Sequence, residues 1–109
     1  MSRGSNLGEF EELVLLAVAS LTTDAYGYAV QARLREEAKR SVGLATVHSA
    51  LYRLEKKGLL NSELGGSTAA RGGRRKRLFQ ITSTGRAAVR EKRSARNTLW
   101  ELMPEVKPA

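Results

Sequence analysis

The sequence predicts a mainly α fold with a small β-hairpin, and three observations carry that expectation. Apolar residues recur at helical spacing in four separate segments, two short β-type runs flank a glycine-rich stretch, and the chain is too short for a second core. At 109 residues it buries only about two-thirds of its unfolded surface. With 41% hydrophobic residues, 10 glycines and 2 prolines, its composition is that of a folded chain rather than a disordered one.

The first helix is expected over residues 8–21. Phe10, Leu13, Val14, Ala17 and Leu21 recur at helical spacing, while Leu15, Leu16 and Val18 fill a second side. So wide an apolar surface needs two neighbours, the domain's own core and a partner subunit. Thr22, Thr23 and Asp24 suit a turn, and Asp24 is expected to cap a second helix reaching Lys39 through Tyr28, Val30 and Leu34.

A third helix is expected over residues 44–57, with Leu44, Val47, Leu51 and Leu54 as one buried stripe and Gly58 ending it. The opposite side collects Ala45, Thr46, Ser49, Tyr52, Arg53 and Lys56, which makes it small, hydrogen-bonding and basic. Runs at 59–64 and 76–82 then read as a hairpin whose tip, residues 65–73, is rich in glycine. Thr82 is placed to cap a fourth helix extending to Met103, with Pro104 and Pro108 marking its end. The order α1-α2-α3-β-β-α4 is that of a winged helix-turn-helix. Residues 1–85 are expected to form this domain, and residues 82–104 a dimerisation helix continuous with it.

The net charge of +8 is concentrated in the middle of the chain. Residues 1–40 hold five basic side chains against six acidic ones, whereas residues 41–85 hold eight against two. That stretch is suited to facing a polyanion. Five of its charges, Arg71, Arg74, Arg75, Lys76 and Arg77, crowd around two glycines, as a loop neutralising phosphates requires. Strand alternation puts Arg75 and Arg77 on one face and Lys76 on the other.

At this point the residues resemble the PadR family of bacterial transcriptional regulators over about residues 7–90. The carriers are Leu7-Gly8-Glu9-Phe10-Glu11, Ala25-Tyr26-Gly27-Tyr28-Ala29-Val30, and the stretch from Ala50-Leu51-Tyr52-Arg53-Leu54 through Glu55-Lys56-Lys57-Gly58-Leu59-Leu60. Gly72-Gly73-Arg74-Arg75-Lys76-Arg77 and Ile81-Thr82-Ser83-Thr84-Gly85 follow in order. The resemblance implies a homodimer held by its first and last helices, usually repressing nearby genes and often released by a small ligand. It implies the short subgroup, with one carboxy-terminal helix. The sequence departs from the family at Thr46-Val47-His48, where a tyrosine often follows Thr-Leu. In drug-responsive relatives an aromatic on the last helix lines a flat pocket between subunits, and Trp100 resembles it one helical turn further along.

The candidate DNA-contacting set is therefore Thr46, His48, Ser49, Tyr52, Arg53 and Lys56 on the third helix and Arg71, Arg74, Arg75, Lys76 and Arg77 on the wing. His48 lies at the border of the buried stripe, where a packing role competes with DNA contact. Tyr26 and Tyr28 read as packing residues of the second helix with hydroxyls near the phosphate backbone. Leu13, Leu16, Leu99, Trp100, Leu102 and Met103 are the candidate dimer interface, too apolar to leave in water. Trp100 is also the candidate residue for a small aromatic or hydrophobic effector. The expected partners are a double-stranded DNA operator and a second copy of the chain.

Three other readings compete. Catalysis has no phosphate loop, metal-ligand cluster, cysteine or paired histidine to support it, so no cofactor is expected, and Glu9 and Glu12 read as partners of a helix dipole. An RNA-binding or nonspecific chromatin-type protein would share the basic charge, but Tyr52 and Phe79 are the only stacking candidates in the basic region. A protein-interaction module would carry the charge incidentally. The longest apolar run, residues 13–19, is too short to cross a bilayer, and with no cysteine the expected location is the cytoplasm.

Overall fold

In a computed structural model, which describes residues 7–65 and 75–105, the elements follow the expected order. They are α1 (Glu9–Leu21), a 3-10 turn (Thr22–Asp24), α2 (Gly27–Glu37), α3 (Leu44–Lys56), β1 (Leu60–Leu64), β2 (Arg77–Ile81) and α4 (Ser83–Leu102). The strands pair antiparallel, with Leu60 opposite Ile81, Ser62 opposite Phe79 and Leu64 opposite Arg77.

One core joins the three amino-terminal helices to the hairpin. Val14, Leu15 and Val18 of α1, Val30 and Leu34 of α2, and Val47, Leu51 and Leu54 of α3 meet Leu60 and Phe79 there. Leu44, expected in the α3 stripe, is only half-buried, and Ala50 takes a buried place instead. On α1, Leu15 and Val18 enter this core, so of the second apolar side only Leu16 is left exposed, next to the partly buried Leu13 of the first.

Asp24 does not open the second helix. The chain turns tightly at Ala25, with Tyr26 N–H on Asp24 C=O at 3.0 Å, and the Ala25 carbonyl accepts from Phe79 N–H at 2.8 Å; that tie to β2 delays helix entry until Tyr26 becomes the N-cap of α2. The far end also stops short of Lys39. Lys39 adopts φ 57, and Arg40 N–H reaches back to Leu34 C=O at 3.0 Å, closing the helix in the left-handed manner usually left to glycine. Gly58 ends α3 in the same way, at φ 81, with Leu59 N–H on Leu54 C=O at 3.0 Å.

Thr82 caps α4 as expected, its Oγ1 accepting from Gly85 N–H at 3.0 Å. The same hydroxyl donates to Gly58 C=O at 2.8 Å, which locks the helix start against the end of α3. A Cβ on Gly85 would lie 2.2 Å from the Leu59 carbonyl oxygen, so only glycine permits that approach. Beyond Val89 the helix leaves the core, and its last turn is exposed throughout.

Candidate nucleic-acid interface

Helical geometry turns Thr46, Ser49, Tyr52, Arg53 and Lys56 outward from α3, and all five are exposed. The opposite stripe is anchored in the core, so the reading face is held by Val47, Leu51 and Leu54 behind it. His48 is half-buried at the edge, with its ring over α2. A Cβ on Gly27 would fall 2.2 Å from His48 Nε2, so the bare backbone of Gly27 is what admits the imidazole.

Arg53 is not a loose side chain. Its Nε donates to Glu11 Oε2 at 2.7 Å, and Lys57 Nζ donates to Glu11 Oε1 at 2.9 Å. Glu11 is buried on α1. Burial pushes its carboxyl up, but the hydrogen bonds from Arg53 and Lys57, the Gly8 N–H and the Lys57 charge together leave it below the ordinary carboxylate value. The Arg53 side chain remains half exposed beyond this bond.

Hairpin pairing brings the base of the wing beside this face. Lys76 Nζ lies 3.9 Å from the centre of the Tyr26 ring, a cation held on an aromatic face. Arg75 Nε donates to Gly65 C=O at 2.9 Å. Arg77 turns back to Ser62 Oγ at 2.9 Å, and that hydroxyl donates to Glu55 Oε2 at 2.7 Å. Arg71 and Arg74, the remaining wing candidates, lie outside the described residues.

Between α2, α3 and β2 opens a cavity of about 640 Å³. Tyr26, Gly27 and Tyr28 line it from the start of α2, and His48 and Tyr52 from α3; Arg75, Lys76, Arg77 and Phe79 complete the wall. Tyr52 meets Phe79 edge to face at 5.8 Å and stands 6.3 Å from His48. Tyr28 is exposed, so it is not the packing residue its place in a helix suggested. The count of stacking candidates along the basic region missed Tyr26 and Tyr28, because the fold supplies them from a distant segment.

The acidic cluster of α1 also has a fuller role than partnership with a helix dipole. Glu9 pairs with Arg40 after α2, Glu11 with α3, and Glu12 with Arg96 of α4. Three nearby carboxylates thus tie α1 to three other parts of the chain.

Leu13 and Leu16 line a second groove, of about 410 Å³, between α1 and α2. Leu99, Trp100, Leu102 and Met103 stand exposed at the far end of α4, with Trp100 at 69%. Among the described residues no group of three or more His, Cys, Asp or Glu could hold a metal ion, and no helix is long and apolar enough to cross a membrane.

The model of the transcriptional regulator PadR-like family matches residues 15–91. Among solved structures, a PadR-like transcription factor from Bacteroides fragilis is 24% identical with a TM-score of 0.74, covering 90% of this chain and 89% of that one. A PadR family transcription regulator from Clostridium difficile is 26% identical with a TM-score of 0.72, covering 88% and 95%. Bacillus subtilis PadR, solved in complex with operator DNA, shares the fold at a TM-score of 0.62 and 14% identity, with 94% of this chain matching 51% of that one. A comparison with curated proteins returns no match.

Proposed function

Because the chain belongs to the PadR-like family of transcriptional regulators, a family of regulators and not of enzymes, we propose that it binds double-stranded operator DNA in a sequence-specific way. In this reading it acts as a homodimeric repressor. The observation that carries the reading is the outward face of α3, with five hydrogen-bonding or basic side chains exposed together beside the basic start of β2. Such a face suits the major groove, where short polar groups and a forked cation distinguish base edges.

Thr46, Ser49, Tyr52 and Arg53 read or orient on bases in this mechanism, while Lys56 and the wing cations Arg71, Arg74, Arg75, Lys76 and Arg77 neutralise backbone phosphates. His48 contributes from the edge of the helix. Residues 1–85 form the reading unit and residues 82–104 the dimerisation helix. The exposed Leu99, Trp100, Leu102 and Met103 pack against the Leu13 and Leu16 region of a second copy, which sets the two reading helices one turn of DNA apart, about 34–36 Å. A small aromatic or hydrophobic effector beside Trp100 would release the operator by favouring another spacing.

Fluorescence anisotropy with the fragment upstream of the protein's own gene, against excess random DNA, tests the reading. Binding that survives the competitor supports it. Binding erased by random DNA, or matched by random RNA, overturns sequence-specific recognition.

A further inference from the structure

We propose that the cavity between α2, α3 and β2 is a nucleotide site, taking one base and its adjoining phosphate. The distribution of aromatic residues carries the inference. The chain has three tyrosines, two phenylalanines and one tryptophan, and all three tyrosines together with Phe79 line this cavity. Phe79 belongs to the core and closes the floor of the cavity, but the core does not require Tyr28 or Tyr52 there, since they are 66% and 51% exposed. Exposed rings around a shared opening offer faces on which a base stacks.

The cations supply the other half of the recognition. Lys76 is held at 3.9 Å over Tyr26, so a positive charge lies beside a stacking surface, the arrangement that a flat ring bearing an anionic group requires. The first turn of α2, which no described side chain caps, contributes Gly27 and Tyr28 to the wall, and its N–H dipoles favour an anion. At about 640 Å³ the cavity falls in the range of small-ligand sites, about 300–1,000 Å³.

The nucleotide comes either free from solution or from an unstacked position in a DNA strand, and the chemistry of recognition is the same. Either occupant shares Tyr52 and Lys76 with the proposed operator surface, so nucleotide and duplex exclude one another. The site goes beyond the operator-binding reading and stands without it; only its exclusion by duplex rests on that reading.

His48 is the only histidine in the chain and lines the cavity, so its ring proton resonances are a single reporter of occupancy. The full chain is titrated at fixed pH with a purine nucleoside 5′-monophosphate, the matching nucleoside, inorganic phosphate and a short unstructured oligodeoxynucleotide. The monophosphate or the oligonucleotide should give a saturable His48 shift, at least tenfold tighter than nucleoside or phosphate alone. Saturation by the monophosphate identifies the free nucleotide as the source, and saturation by the oligonucleotide alone identifies the strand. Lys76→Gln and Tyr52→Ala should each weaken the binding tenfold or more, and Arg35→Gln, exposed on α2 away from the cavity lining, should leave it unchanged. Both weakening substitutions fall at exposed positions, and an unchanged unfolding midpoint verifies the fold. No saturable shift, equal response to phosphate alone, or insensitivity to Lys76 and Tyr52 overturns the site. Duplex binding measured separately keeps the two proposals apart, because either can fail while the other stands.

Discussion

Arg96 donates to Glu12 Oε1 at 2.9 Å, joining the middle of α4 to the first turn of α1. Glu12 is 9% exposed at its side chain and Arg96 59%. The pair therefore combines a desolvated carboxylate with a largely hydrated guanidinium, and its direct contribution to stability is small, on the order of 1 kcal/mol or less. Its position matters more, because α4 has already left the core at this point.

Arg96→Ala should therefore cost about 1 kcal/mol in denaturant unfolding while altering how the proposed dimer meets its operator. With the tie removed, α4 is free to change its angle to the body. Affinity for operators with one or two base pairs inserted between half-sites should move closer to that for the natural spacing. An Arg96→Ala variant that keeps the original spacing preference would show that the tie does not set dimer geometry.

Glu11 makes the fold sensitive to acid. Its carboxyl sits below the usual value in the folded chain, so the unfolded chain binds the proton more readily. The contribution is fully present above the unfolded pKa of about 4.3 and is lost as pH falls through the lower folded value. Glu11→Gln should lower stability near neutrality by about 1–3 kcal/mol through loss of two charge-assisted bonds. It should also flatten the acid limb of unfolding, so a wild-type curve and a variant curve that run parallel below pH 5 would refute the assignment.

Two backbone positions predict opposite signs. Gly85→Ala forces a methyl group against the Leu59 carbonyl oxygen and should destabilise by about 2–3 kcal/mol, as overpacking does. Lys39→Gly relieves a left-handed residue at φ 57. The relief of about 1–2 kcal/mol is partly offset by the freer unfolded chain, for a net gain of about 0.5–1 kcal/mol. Chemical denaturation of both variants measures the pair.

The elements were legible in the sequence where local chemistry decides the outcome. Gly58 and Thr82 act locally, and their turn and cap follow from residue type. The start of α2 was not legible, because Ala25 is held outside the helix by a bond to Phe79 that no local pattern announces. The site divides in the same way. The face of α3 follows from a period of 3.6, whereas the tie of Arg53 to Glu11 spans 42 residues and the meeting of Tyr26 with Lys76 needs the hairpin to be closed. The wide apolar surface of α1 misled in part, since its own core absorbs Leu15 and Val18.

Arg53 and Lys56 stand three residues apart on one helix, yet their substitution should give different signatures. Lys56 is exposed and, among the described residues, makes no ion pair, so Lys56→Ala removes charge and little else. Its loss should leave the unfolding midpoint unchanged and reduce the salt dependence of DNA binding by about 0.9 in the log–log slope for each phosphate contact, or ~2 per dimer. If about four phosphates per subunit are neutralised, the parent slope lies near roughly −7. Arg53→Ala instead strips a hydrogen bond from the buried Glu11, leaving Lys57 as its remaining cation. It should lower stability and reduce discrimination between operator and random DNA, an effect separable from charge because Arg53→Lys keeps the charge and loses the fork. Equal slopes and equal discrimination in the two variants would mean that α3 meets DNA through its charge alone.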